Sequence, residues 1–308
     1  MALSVHPIFL PLLASTLAAG GTGPGPVQGD TLSRVRLPPG HVATVLCTGI
    51  NGADGLALSS EGELYAAAET EGALYRIDLS GSAETVVRDL DHPEGVAVDT
   101  TTGTVYVTED TEHGRLLALR SDGNVTVIGD SLQYPEGVAV SGNGSVFVTE
   151  SSAETGRLPP FLTGVRRLGE NGSSVVYSSL YLWSFSDLLA DSAGTLYLCN
   201  ETSGILFVTG SVIRVNPSTG EGEVFAAGLS RCEGICSTPG SFFPLYVAEE
   251  DLGEGRGRIS AVHRDGSVSV VAEGFYNVED VAVDGSGRIF VSEDTTGMII
   301  MILPPRGP

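Results

Sequence analysis

Lysine is absent from this chain. All 16 basic residues are arginine, set against 38 acids, and the net charge is −22 over 308 residues. The missing lysine reads as a bias of genomic composition, since arginine serves equally well on a surface. The scarcity of positive charge excludes nucleic acid and anionic membrane as partners. Helical periodicity is also missing over any useful length. Long apolar runs are missing too, apart from Ile8 to Ala19, which Pro11 interrupts. That stretch is too short to span a bilayer. With the small residues that follow it, it predicts a secretory signal over 1–20, a linker over 21–40 and a secreted protein. No G-x-S-x-G elbow, P-loop or HExxH occurs. The four cysteines, Cys47, Cys199, Cys232 and Cys236, lack the spacing of a zinc site. They read as structural residues, and their even number allows two disulfides in an oxidising compartment. Four sequons, at Asn124, Asn143, Asn171 and Asn200, predict N-glycosylation.

What is present is one phrase written six times: acid–Gly–apolar–Ala–apolar, a turn, then a strand ending in an acid. Pro93-Glu94-Gly95-Val96-Ala97-Val98-Asp99 with Val105-Tyr106-Val107-Thr108-Glu109 is a clear copy. Pro135 to Val140 with Val146 to Glu150 is another. Asp54, Glu233 and Glu279 lead three more, and Ser186-Asp187 leads a degenerate fourth copy. Apolar–polar alternation between Gly, Asp and Ser turns means strands. A period of 40 to 50 residues is that of a four-stranded propeller blade. The sixth copy stops after three strands, and His41 to Cys47 is a spare strand able to complete it. The prediction is all-β: a six-bladed propeller over 41–303, closed by strand 41–47.

In such a ring the loop entering each inner strand opens on one face. Asp54, Glu94, Glu136, Asp187, Glu233 and Glu279 therefore become candidate metal ligands around the channel mouth. Crowded carboxylates either take up protons or share a cation, and all-oxygen donors suit Ca2+ far better than zinc. The strand ends Glu109, Glu150, Asn200, Glu249 and Glu293 form a wider set on the same face. An acid before glycine also serves simply as a turn cap. Tyr134, Trp183, Phe185, Arg231 and Tyr276 are expected to contact substrate, with long loops after residues 151 and 201 as walls or a lid. Asp54, Glu94 and His92 are the candidate catalytic groups, His92 as general base; His113 is a further histidine of the same kind.

At the Pro-Glu-Gly-Val-Ala-Val-Asp and Ala-Asp-Gly-Leu-Ala-Leu phrases the chain resembles the gluconolactonase/senescence-marker propellers and their NHL-repeat and strictosidine-synthase-like relatives. Glu71-Gly-Ala-Leu-Tyr-Arg-Ile-Asp78 resembles their third-strand phrase. The resemblance implies one Ca2+ at the channel mouth that polarises a lactone carbonyl or orients water, assisted by an aspartate. Asp54 matches the Asp-Gly-Leu-Ala phrase, and Glu94 or Glu136 the Glu-Gly phrase. Those relatives use asparagine ligands where this chain has mostly acids. The expected function is a secreted, monomeric, Ca2+-dependent lactonase or esterase acting on a small apolar molecule. Two alternatives stand beside it: a non-hydrolytic cyclase or isomerase of natural-product biosynthesis, and an NHL-type propeller that only binds.

Overall fold

The computed structural model describes residues 32–151, 162–169, 172–180, 184–201, 210–250 and 255–305. Six antiparallel sheets of four strands follow one another around an axis, a six-bladed β-propeller with one helical turn at residues 32–34. The inner strands are Ala53–Leu58, Pro93–Asp99, Val138–Val140, Phe185–Ala190, Arg231–Thr238 and Val278–Val283. Closure is as the sequence predicts. Strand Val42–Thr48 pairs antiparallel with Met298–Leu303, from Val42 opposite Leu303 to Thr48 opposite Met298, and so completes blade six. Joining the two chain regions in one sheet leaves no unpaired first or last blade.

The core lies between blades. Six apolar clusters fill the six interfaces, such as Leu74 of blade one against Val96, Val105 and Val107 of blade two. The outer strands carry β-branched residues that stay exposed, such as Val127 and Val175, so they add little to the core and hold shape by pairing. The part of the expected linker that is described is docked. Leu32, Val35 and Leu37 pack on the blade-five/blade-six cluster, and Arg36 bridges backbone-to-backbone with Glu273.

At the axis the backbones nearly touch. A Cβ on Gly95 would stand 2.2 Å from the carbonyl oxygen of Glu136, and one on Gly137 2.5 Å from the Cα of Asp187. This close approach explains why glycine follows the acid. The Gly95 N–H instead donates to the Glu136 carbonyl at 3.1 Å and the Gly137 N–H to the Ser186 carbonyl at 2.8 Å. A buried hydroxyl doubles each stitch. Thr149 Oγ1 accepts from Gly137 N–H at 2.8 Å and donates to the Ser186 carbonyl at 2.8 Å, and Thr108 serves Gly95 and Glu136 likewise. Blades four and six put aspartate where glycine is expected. Asp187 Oδ2 accepts from Ile235 N–H at 3.0 Å and Asp280 Oδ2 from Leu56 N–H at 2.6 Å. Their carboxylates make the inter-blade bond that the hydroxyls make elsewhere.

All four cysteines are thiols. Cys199 and Cys232 meet in the blade-four/blade-five core, whereas Cys47 and Cys236 belong to other clusters.

Replacing Thr149 by valine removes two buried hydrogen bonds without changing volume much, leaving the Gly137 N–H and the Ser186 carbonyl with only their bond to each other. We expect it to lower the unfolding free energy by about 1–3 kcal/mol, measured by denaturant titration. Val127→Thr on the exposed outer strand should stay within about 0.5 kcal/mol of wild type.

Candidate functional site

The entering loops deliver the acids by a shared backbone device. Among the described residues, four that are not glycine have positive φ: Asp89 (59°), His92 (48°), Ser131 (53°) and Tyr134 (42°). They occupy the same two places in blades two and three. The first left-handed residue turns the chain so that the next, Leu90 or Leu132, plugs the inter-blade core. The second stands immediately before Pro93 or Pro135 and aims the following acid at the axis. A histidine and a tyrosine held in this conformation carry backbone strain of the kind found at functional sites.

The result is a cavity of about 430 Å³ on the axis. Its walls hold eleven carboxylates and one guanidinium, with serines and glycines between them. All six predicted ligands, Asp54, Glu94, Glu136, Asp187, Glu233 and Glu279, converge there with Arg231. Blade four departs from the pattern. Ser186 takes the acid position but turns away, donating to the carbonyls of Cys232 and Glu233 at 2.6 and 2.8 Å, and Asp187 supplies the carboxylate from the glycine position.

A second tier of acids was not anticipated. The expected strand-end set does not face the channel. Glu109 bonds Arg115 and accepts from Asp91 N–H. Glu150 bonds Arg166 and accepts from Gln133 N–H. Glu249 bonds Arg258 and accepts from Ser230 N–H. Glu293 accepts from Tyr276 N–H and Thr296. These four brace the entering loops. In four blades the residue after the strand end turns to the cavity instead: Glu69, Glu201, Glu250 and Asp294 line it.

Two aromatic expectations are corrected. Phe185 is 1% exposed and packs on Tyr177 with ring centroids 5.9 Å apart; it is core, at the position that Pro93, Pro135 and Cys232 fill elsewhere. Tyr276 is 7% exposed beneath Arg34. Its neighbour Asn277 holds the place equivalent to His92, Tyr134 and Arg231, and donates to Glu279 Oε1 at 2.7 Å. Trp183, Asn171 and most of both long loops lie outside the described residues. Tyr134 is half-buried in the equivalent loop position but does not line the cavity. His92 lies at the rim, its Nδ1 3.0 Å from Glu69 Oε1, and His113 is exposed. No apolar side chain lines the cavity among the described residues; the loops expected to form apolar walls lie mostly outside them. Asn124 and Asn143 are exposed. Asn200 is fully buried with its Nδ2 donating to Ser211 at 2.9 Å, so its sequon is inaccessible in the folded chain.

Burial, then mutual repulsion, pushes Asp54, Glu94, Glu136, Glu233 and Glu279 well above the usual carboxylate range. Burial also raises Asp280 far up and Asp187 to about 7, against the pull of backbone N–H groups. Glu201 is raised by burial too, with Arg231 opposing the rise.

One part of the ring fits a metal. Asp54, Glu69 and Glu94 each offer an oxygen, and these oxygens lie within 4.8 Å of one another. Elsewhere in the same cavity a cation already stands among carboxylates. The Arg231 guanidinium donates hydrogen bonds to Glu201 at 2.8 Å and to Glu250, and its charge also stands 3.3 Å from Glu233 Oε1. That stand-in shows how this frame satisfies converging acids, and the hard oxygen set at Asp54, Glu69 and Glu94 suits Ca2+.

Comparison with known proteins agrees on the fold. The NHL repeat family model matches residues 90–119. A gluconolactonase from Xanthomonas campestris is similar in structure with TM-score 0.70 and 15% identity, over 87% of this chain and 91% of that one. The PQQ-bound aldose sugar dehydrogenase of Streptomyces coelicolor gives 0.64 at 14% identity, over 87% and 99%. A streptogramin B lyase gives 0.58 at 13%, over 85% and 97%. No curated protein matches the sequence significantly. At such identities the likeness is one of fold, which hosts many chemistries.

The raised carboxylates set a pH dependence. The folded chain holds more protons than the unfolded chain between about pH 4, where free carboxylates titrate, and about 7 for Asp187. Their contribution to stability is therefore complete below that window and is lost as pH rises through it. In chelator, the melting temperature should fall from pH 5 to pH 8, and millimolar Ca2+ should reverse the fall at pH 8. A melting temperature that rises across the window in chelator contradicts the assignment.

Proposed function

We propose that this propeller is a secreted, lactonase-like hydrolase that uses a divalent cation, Ca2+ by donor chemistry, at the acidic channel mouth. The observation that carries the reading is the convergence of Asp54, Glu69 and Glu94 within 4.8 Å. These three would hold the cation. When bound, it supplies Lewis acidity toward a carbonyl oxygen and favours an ionised attacking water.

The remaining groups have roles set by their own chemistry. His92 is raised chiefly by its bond to Glu69, which fixes the ring at Nδ1 and leaves Nε2 for proton exchange at the rim. Glu136, raised by burial and by its acidic neighbours, holds a proton more firmly than a free carboxyl and can donate it in a hydrogen bond to a substrate oxygen. Walls of carboxylate, serine and backbone suit a hydroxylated substrate rather than the apolar one expected from sequence. The shared fold of a gluconolactonase and a sugar dehydrogenase supports a sugar-like lactone. The same acids repel a carboxylate product and so favour its release. Export through the signal-like residues 1–20 would place the site where calcium is plentiful, in the range that weak extracellular sites use.

The NHL repeat match keeps a second reading, a binding propeller without turnover. A panel of sugar lactones assayed with and without chelator separates the two. We expect Ca2+-dependent hydrolysis, reduced about 100-fold or more by Asp54→Asn or Glu94→Gln and unchanged by Asp122→Asn in an exposed turn. Calcium binding without hydrolysis of any lactone or ester favours the second reading.

A further inference from the structure

The acidic cleft is built twice on opposite sides of the axis, with different contents. Between blades four and five it consists of Glu201, Glu233 and Glu250, and Arg231 reaches all three. The matching positions between blades one and two are Glu69, Glu94 and Asp110, with His92 in place of Arg231. His92 is shorter and lies further out, its side chain 59% exposed against 34% for Arg231. Its one ion-pair partner among the described residues is Glu69. One copy thus carries its own cation inside the acid cluster, and the other carries a histidine at the edge.

We propose that Arg231 is an internal cation that occupies the blade-four/blade-five copy of the cleft, so that external divalent cations bind only at Asp54, Glu69 and Glu94, and that removing the guanidinium turns Glu201, Glu233 and Glu250 into a second divalent-cation site. The proposal takes its count of one external cation from the reading above; the second site does not depend on it. A guanidinium shares its charge over a planar fork and bonds several carboxylates together. A hard cation with oxygen ligands can replace that function once the fork is gone. Methionine at this position keeps the length of the side chain and removes the charge.

The test is Ca2+ binding to the full chain by calorimetry, with thermal melts in parallel. Wild type should bind one Ca2+ and Arg231→Met two. The Met variant should melt below wild type in chelator and gain more from added Ca2+. Arg231→Lys should keep the wild-type stoichiometry, and Arg231→Met with Glu201→Gln should lose the added site. A cooperatively melting Met variant that binds no more Ca2+ than wild type overturns the proposal. Should that variant not fold, Glu250→Gln carries the test. It leaves the wild-type cation in place if Glu250 holds Arg231, and loss of that cation overturns the proposal. If wild type binds none and Arg231→Met binds one, the internal-cation role stands and the hydrolase reading falls. If neither binds, both fall.

Discussion

Crowding at the axis is the constraint on which the rest of this structure depends. Six inner strands converge so closely that a single methyl at Gly95 would lie 2.2 Å from the next blade's carbonyl oxygen. Adjacent blades therefore share main-chain hydrogen bonds at the axis, where the Glu136 and Ser186 carbonyls are claimed by Gly95 and Gly137 of the preceding blades. With its carbonyl so committed, Glu136 retains its side chain for the cavity. The repeat consequently does two things with one dipeptide. Glycine lets the ring close, and the residue before it sets the chemistry of the mouth.

Closing the ring concentrates like charge, and the structure answers this in more than one way. Burial and repulsion raise the inner acids, so part of the charge is withdrawn by protonation. Arg231 neutralises another part by direct pairing. Asp187 and Asp280 offset theirs by accepting backbone N–H groups of the next blade. Among the described residues, the ion pair of the Asp54, Glu69 and Glu94 group is the edge contact of Glu69 with His92. Equivalent positions of the ring are thus treated unequally.

Much of this was legible in the sequence. The period gave the blade, the spare strand gave the closure, and the acid before each glycine gave the inner tier. The second tier was misplaced by one residue, taken as Asn200, Glu249 and Glu293 rather than Glu201, Glu250 and Asp294. Both faces of the second strand are buried, so alternation does not say which of two consecutive polar residues faces the axis. A readable signal existed nonetheless. Arg115, Arg166 and Arg258 occur in the blades whose second strand ends in Glu109, Glu150 and Glu249, which commits those glutamates to bracing the loops. Phe185 was legible too. It precedes the leading position, where Ala53, Pro93, Cys232 and Val278 are all buried. Its proximity to Trp183 suggested a pocket, but its register specified core.

The position two residues before each leading acid is where this ring ceases to be symmetric. It holds Gly52, His92, Tyr134, Ser184, Arg231 and Asn277, six different residues at one repeated place in the fold. Crowding restricts the glycine and the core restricts the plug residue, but this position lies above both. Gly52 has no room for a side chain there, whereas the other blades carry side chains that differ in charge and polarity. Blades two and five face each other across a six-membered ring, and they hold His92 and Arg231. A paired guanidinium on one wall and a carboxylate cluster with a histidine at its edge on the other make the cavity asymmetric, even though the frame around it repeats six times.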